Sequence, residues 1–134
     1  MDAGEAIVSV AGPLMNMALA VVFTAIQFLL IKLAPAFLFT QAGSITMAVI
    51  QYTIIVNIGL GVFNLIPLPP LDGSKILMNF LPYNGKVWFE NNQHIFYIIF
   101  LAIWMLGIAS SIISPIILGI SNGIIDLFAM IFGL

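Results

Sequence analysis

The sequence predicts an all-α integral membrane protein with three to four transmembrane helices, and a proline-broken helix that carries Asp72. Three observations lead there. The 134 residues are 63% hydrophobic and 6% charged, with a mean hydropathy of +1.23, whereas a soluble domain carries about 25% charged residues. The few charges leave three uncharged stretches, and each is long enough for the about 20 apolar residues that a span requires. Finally, the run Asn64-Leu-Ile-Pro-Leu-Pro-Pro-Leu-Asp-Gly-Ser-Lys75 puts Pro67, Pro69, Pro70 and an acid where the second stretch would otherwise continue as helix.

The first uncharged stretch, Ala6–Ile31, is closed by Lys32 and then Leu33-Ala34-Pro35. Pro13 suits the first turn of a helix, which predicts a span over Pro13–Leu33. Its small residues allow close helix packing. In the second stretch, Leu33–Leu71, the segment Ala34–Ser44 reads as a connector. A helix is then expected over Ile45–Ile66. Gln51, Tyr52, Thr53, Asn57 and Asn64 make it unusually polar, and in a bilayer such groups need partners. Gln51 and Asn57 are read as glue between helices. The three prolines bias the residues before them away from the α region, so an extended segment is expected, followed by a short helix from Asp72 to Leu81.

Leu81–Gln93 holds the densest polar patch and is expected to face water, with a short amphipathic helix carrying Trp88 and Phe89 at the interface. In the third stretch, Asn91–Ile125, a span is expected over Ile95–Ser111, broken at Ser114-Pro115. A last apolar segment, Ile116–Phe132, contains Asp126. Lys75 and Lys86 share one connection, which favours the Asp72–Glu90 side facing the cytoplasm.

Composition also excludes several classes of function. With no cysteine there is no disulfide, thiolate nucleophile or Cys-ligated zinc. Three lysines, no arginine and a net charge of −2 exclude nucleic-acid binding. Met1–Glu5 carries two acids and no base, unlike the start of a signal peptide.

Asp72 is the residue that asks for an explanation. At a helix N-terminus it could cap free N–H groups and meet the positive end of the dipole, with Lys75 three residues on as an ion-pair partner. An acid at membrane depth is also a candidate functional group, and both readings stand at this point. Aspartate is a competent zinc ligand, but a catalytic zinc needs three protein ligands and a water. The chain has one histidine, His94, which reads as interfacial, so no His-Glu-x-x-His motif is present. Ser74 is too close to Asp72, and His94 too far along the chain, for a Ser-His-Asp triad.

Two segments together resemble the site-2 protease family of intramembrane zinc metalloproteases. Ala11-Gly12-Pro13-Leu14-Met15-Asn16 opens the first span, and Asn64-Leu-Ile-Pro-Leu-Pro-Pro-Leu-Asp-Gly-Ser74 ends the second. The resemblance implies that Asp72 is the third zinc ligand and that Asn64 helps position the substrate. It implies further that Pro67, Pro69 and Pro70, with Gly73, set the acid within the membrane, and that Gly12, Pro13 and Asn16 pack near the site. In the family, two histidine ligands and a glutamate base come from a His-Glu-x-x-His helix preceding the Ala-Gly-Pro segment, and that helix is absent here. The chain is therefore expected to be the C-terminal part of such a peptidase, with zinc bound in the intact enzyme but not by this chain alone. Its expected partners are membrane lipid and either a transmembrane substrate or the missing N-terminal segment, in the cell membrane of a prokaryote. Two alternatives stay open: a non-catalytic membrane subunit that binds or regulates other helices, and the ion-site fragment of a transporter.

Overall fold

The computed structural model describes residues 3–69 and 71–134, and every regular element among these is a helix, with no strand. The first helix, α1 (Ala3–Leu33), is 31 residues long, or about 46 Å at 1.5 Å per residue. It starts ten residues before Pro13, which is buried in its interior rather than at its first turn. Proline removes one i→i−4 hydrogen bond, but membrane helices tolerate it where neighbours take over the packing.

A short turn of helix, α2 (Pro35–Leu38), leads to α3 (Gln41–Asn64). Thr40 caps α3 by accepting a hydrogen bond from the Gly43 N–H at 3.0 Å. Gly43 must be glycine here, because a Cβ would stand 1.9 Å from the Phe37 carbonyl oxygen. The chain then folds back through α4 (Asp72–Phe80), α5 (Tyr83–Asn91) and α6 (Gln93–Met105) to α7 (Ile108–Phe132).

Three of these helices, α1, α3 and α7, are long and apolar enough to cross a membrane. The expected break at Ser114-Pro115 is not where the chain turns. Pro115 lies inside α7, and the turn comes at Gly107, whose φ of 71° is a left-handed conformation that glycine adopts without strain. The third crossing is therefore Ile108–Phe132. The expected Ile95–Ser111 span is instead α6, at 13 residues too short to cross alone.

Side-chain contacts fix the directions of the three long helices. Gln27 on α1 donates to Gln51 on α3 at 2.9 Å, while Gly61 near the end of α3 packs on Pro13, Asn16 and Met17. The two helices are thus antiparallel. Phe28 stacks on Phe128, and Lys32, one turn further on, reaches Phe132, so α7 runs parallel to α1. The core lies among the three, with Ala20, Ile50, Ile54 and Ile58 buried and Ile117, Ile120 and Ile124 of α7 packed on them. Gln51 does join two helices. Asn57 does not, since its amide donates to Thr53 on its own helix.

At the far end of the bundle, Lys32 donates to the Phe132 carbonyl at 2.7 Å and lies 5.9 Å from that ring. A cation at a helix C-terminus satisfies an orphan carbonyl and complements the dipole. At the other end, the short amphipathic helix expected in the polar patch is α5. Phe89 is buried there against Phe96, while Trp88 is largely exposed.

Candidate metal-ligand site around Asp72

The link from α3 to α4 is compact rather than extended. The Leu68 N–H donates to the Ile66 carbonyl and the Leu71 N–H to the Leu68 carbonyl, each at 2.8 Å. Proline fixes φ near −65°, which suits a turn as well as an extended strand, so the bias read from the sequence did not decide between them. Pro67 and Pro69 belong to this loop; Pro70 lies outside the described residues.

Gly73 shows how tightly the loop closes. A Cβ there would stand 2.1 Å from the Leu65 carbonyl oxygen and 2.4 Å from that of Ile66. Only glycine lets the start of α4 lie on the end of α3 in this way. Ser74, buried beside it, donates its hydroxyl to the Leu71 carbonyl at 2.7 Å.

Asp72 occupies the first turn of α4, but the capping position belongs to Leu71, and no side chain caps this helix. The acid does not act as the cap that its position in the sequence allowed. Its half-buried carboxylate is directed at α1, where Oδ2 lies 3.6 Å from the place a Cβ on Gly12 would take. Gly12 is nine residues into α1, about 14 Å along the axis. Pro13 and Asn16, next to Gly12 in sequence, hold Gly61 of α3. Gly12, Pro13, Asn16, Asp72 and Gly73 are thus brought to one end of the bundle, where three helices meet.

Asn64 ends α3 on the other side of the loop. Its amide donates to the Leu60 carbonyl at 2.9 Å, within its own helix, and no hydrogen bond joins it to Asp72. Two openings lie along α4, the helix that Asp72 begins. An apolar groove of about 400 Å³ runs between α1 and α4, lined by Ile7, Val10, Ala11, Leu14, Ile76 and Phe80 among others. A polar cavity of about 450 Å³ is lined by Glu5, Ser74, Lys75, Glu90, Gln93 and Tyr97 among others. The sequence did not point to this cavity, because its walls come from α1, α4, α5 and α6.

One carboxylate does not fit a complete zinc site. Among the described residues no three of His, Cys, Asp or Glu converge where a metal ion would sit. His94 is exposed in the first turn of α6.

These features define a class: a helical membrane domain that presents an acid against its first helix, from a helix restarted after prolines. Comparison with known proteins makes the class specific. Residues 2–107 match the model of peptidase family M50, the site-2 protease family, and the chain belongs to that family. It is 30% identical over 129 residues to "Putative zinc metalloprotease YwhC" of Bacillus subtilis (strain 168), an alignment that covers 94% of this chain and 57% of that protein. The chain thus spans little more than half of that relative's length. Over 34 residues, 25% of the chain and 8% of the relative, it is 53% identical to "Putative zinc metalloprotease SPs1691" of Streptococcus pyogenes serotype M3 (strain SSI-1). No solved structure matches the chain.

Proposed function

We propose that this chain is part of an intramembrane zinc metalloprotease that cleaves membrane-spanning proteins in a prokaryotic cell membrane, and that it supplies the acidic zinc ligand, Asp72. The observation that carries this reading is the placement of that carboxylate. It rests against Gly12, nine residues into α1, at the end of a loop that only glycine at position 73 can close. A structural cap needs no such support. The two histidine ligands and the general base come from a His-Glu-x-x-His helix outside these 134 residues. The groove between α1 and α4 runs past Ala11, next to Gly12, and is apolar enough to receive a membrane helix. The polar cavity beside Ser74 and Lys75 gives water a way to that end of the bundle. Asn64 contacts the substrate backbone once its amide is released from Leu60. Alone, the chain neither holds zinc nor cleaves.

The test is complementation. The chain is co-expressed with a family segment bearing His-Glu-x-x-His, and both the zinc content of the purified complex and the cleavage of a transmembrane reporter are measured. The complex is expected to hold about one zinc and to cleave, whereas the chain alone does neither. Asp72→Ala is expected to abolish both. Cleavage by the Asp72→Ala complex at the unmodified rate would remove Asp72 from the ligand set. A stable complex without zinc would make the chain a binding subunit instead.

A further inference from the structure

A cavity of about 270 Å³ lies behind the 65–72 loop, enclosed by four parts of this chain: the end of α3, the loop itself, α6 and the start of α7. The protease reading does not use it. None of the eleven described residues that line it is charged, and Trp104 is the one whose side chain carries a heteroatom. A cavity with no polar partner does not hold water; an apolar one of about 150 Å³ stays dry and takes up benzene.

Its walls differ in character. On one side the Phe63 ring lies 5.3 Å from that of Trp104 and 6.1 Å from that of Phe100, tilted by 46° and 54°. Tilted rings offer both faces and edges, which a planar ring meets better than a chain does. On another side stand Leu68 and Leu71, whose N–H groups make the two 2.8 Å bonds that close the loop. Leu71 is buried and directly precedes Asp72. From α7 come Ala109 and Ile113, both buried. Ala109 is the smallest side chain of the lining, so a larger residue there takes volume from the cavity.

We propose that this cavity binds a small apolar compound of about two fused rings, and that its occupancy stiffens the loop that carries Asp72. Size and chemistry select that occupant. Benzene needs about 150 Å³, so 270 Å³ leaves room for a second ring. A helix, about 10 Å across, does not enter. The compound touches Phe63 on one side and Leu68 and Leu71 on the other. It therefore ties the loop to the end of α3, and opening the loop forfeits those contacts. Binding is a property of these walls and does not rest on the protease reading.

The experiment uses the full chain in phosphatidylcholine vesicles as the Trp88→Phe variant, which leaves Trp104 as its one tryptophan. Bromobenzene and 1-bromonaphthalene are titrated in, and their bromine quenches the indole. Quenching by 1-bromonaphthalene is expected to saturate, above the linear background that partition into lipid gives. Ala109→Leu is expected to weaken 1-bromonaphthalene about tenfold and to keep bromobenzene within about threefold, as the loss of room for a methylene or two does. That reversal of size preference is a change misfolding cannot produce. Saturation is also expected to slow amide exchange at Leu68 and Leu71 several-fold and to leave the last turn of α7 unchanged. Quenching that stays linear would overturn the proposal, and so would saturable binding that Ala109→Leu leaves unaltered. Binding without slower exchange at Leu68 and Leu71 would remove the hold on the loop. Binding lost when the chain is complexed with a segment bearing His-Glu-x-x-His would give the cavity to side chains of that segment and overturn the proposal too.

Discussion

The Asp72 carboxylate lies against the bare Cα of Gly12: a methyl group built on that glycine would sit 3.6 Å from Oδ2. This contact ties the motif that opens the first helix to the acid that restarts the chain after its prolines. A separation of 3.6 Å is ordinary van der Waals contact, so alanine fits, and a longer side chain competes with the carboxylate for the same space. In the complemented enzyme, Gly12→Ala is expected to keep cleavage within about threefold. Gly12→Leu displaces the carboxylate and is expected to cost about 100-fold, as a misplacement of about 1 Å can. Zinc content measured beside cleavage separates a shifted ligand from an unfolded protein.

Gly73 and Gly43 test the two ends of the bundle against each other. At each, an added Cβ would collide with backbone oxygen, at 2.1 Å and 1.9 Å respectively. Each alanine variant is therefore expected to lower thermal stability in detergent, by about 1–3 kcal/mol for an overpacked site. Only Gly73→Ala is expected to open the 65–72 loop to protease and to abolish zinc binding in the complex. Gly43→Ala acts at the α2–α3 corner, away from Asp72. Equal loss of zinc in both would mean that the acid is not held by the loop.

The Gln27–Gln51 hydrogen bond is the polar tie between α1 and α3. Replacing one partner by leucine leaves the other unsatisfied in an apolar setting. Each single variant is expected to lose about 1 kcal/mol, while the double variant Gln27→Leu/Gln51→Leu recovers most of it. Unfolding in detergent across the four-member cycle gives the coupling. Additive losses would show that the bond does not contribute.

Lys32→Leu removes both the donor to the Phe132 carbonyl and the cation beside that ring. The expected effect is about 0.3–1 kcal/mol, the usual range for a helix-terminal cation at an exposed site. It should appear as faster amide exchange in the last turn of α7, with no change at Asp72. Exchange unchanged in that turn would place the stabilisation of α7 in the Phe28–Phe128–Phe132 stack alone.

Most parts of the candidate site stand out in the sequence because they are residues of unusual chemistry in an otherwise apolar chain. Asp72 among prolines drew attention without any fold, and so did Gly12-Pro13 at the head of a span. What the sequence did not settle was which proline stops a helix. Pro13 and Pro115 both sit inside helices, because tertiary packing tolerates one lost hydrogen bond. The turn at Gly107 depends on a positive φ, and nothing in its residue type separates it from the ten other glycines. Nor was the loop's closure legible, since Gly73 meets Leu65 and Ile66 only once the chain has turned back.

The three long helices alternate in direction, and their number is odd. Ala3 and Phe132 therefore stand at opposite ends of the bundle. Asp72 and its loop stand at the end of Ala3, while Lys32 and the last turn of α7 stand at the other. A change at the carboxyl end of α7 can reach the acid only through the packed length of the helices between them.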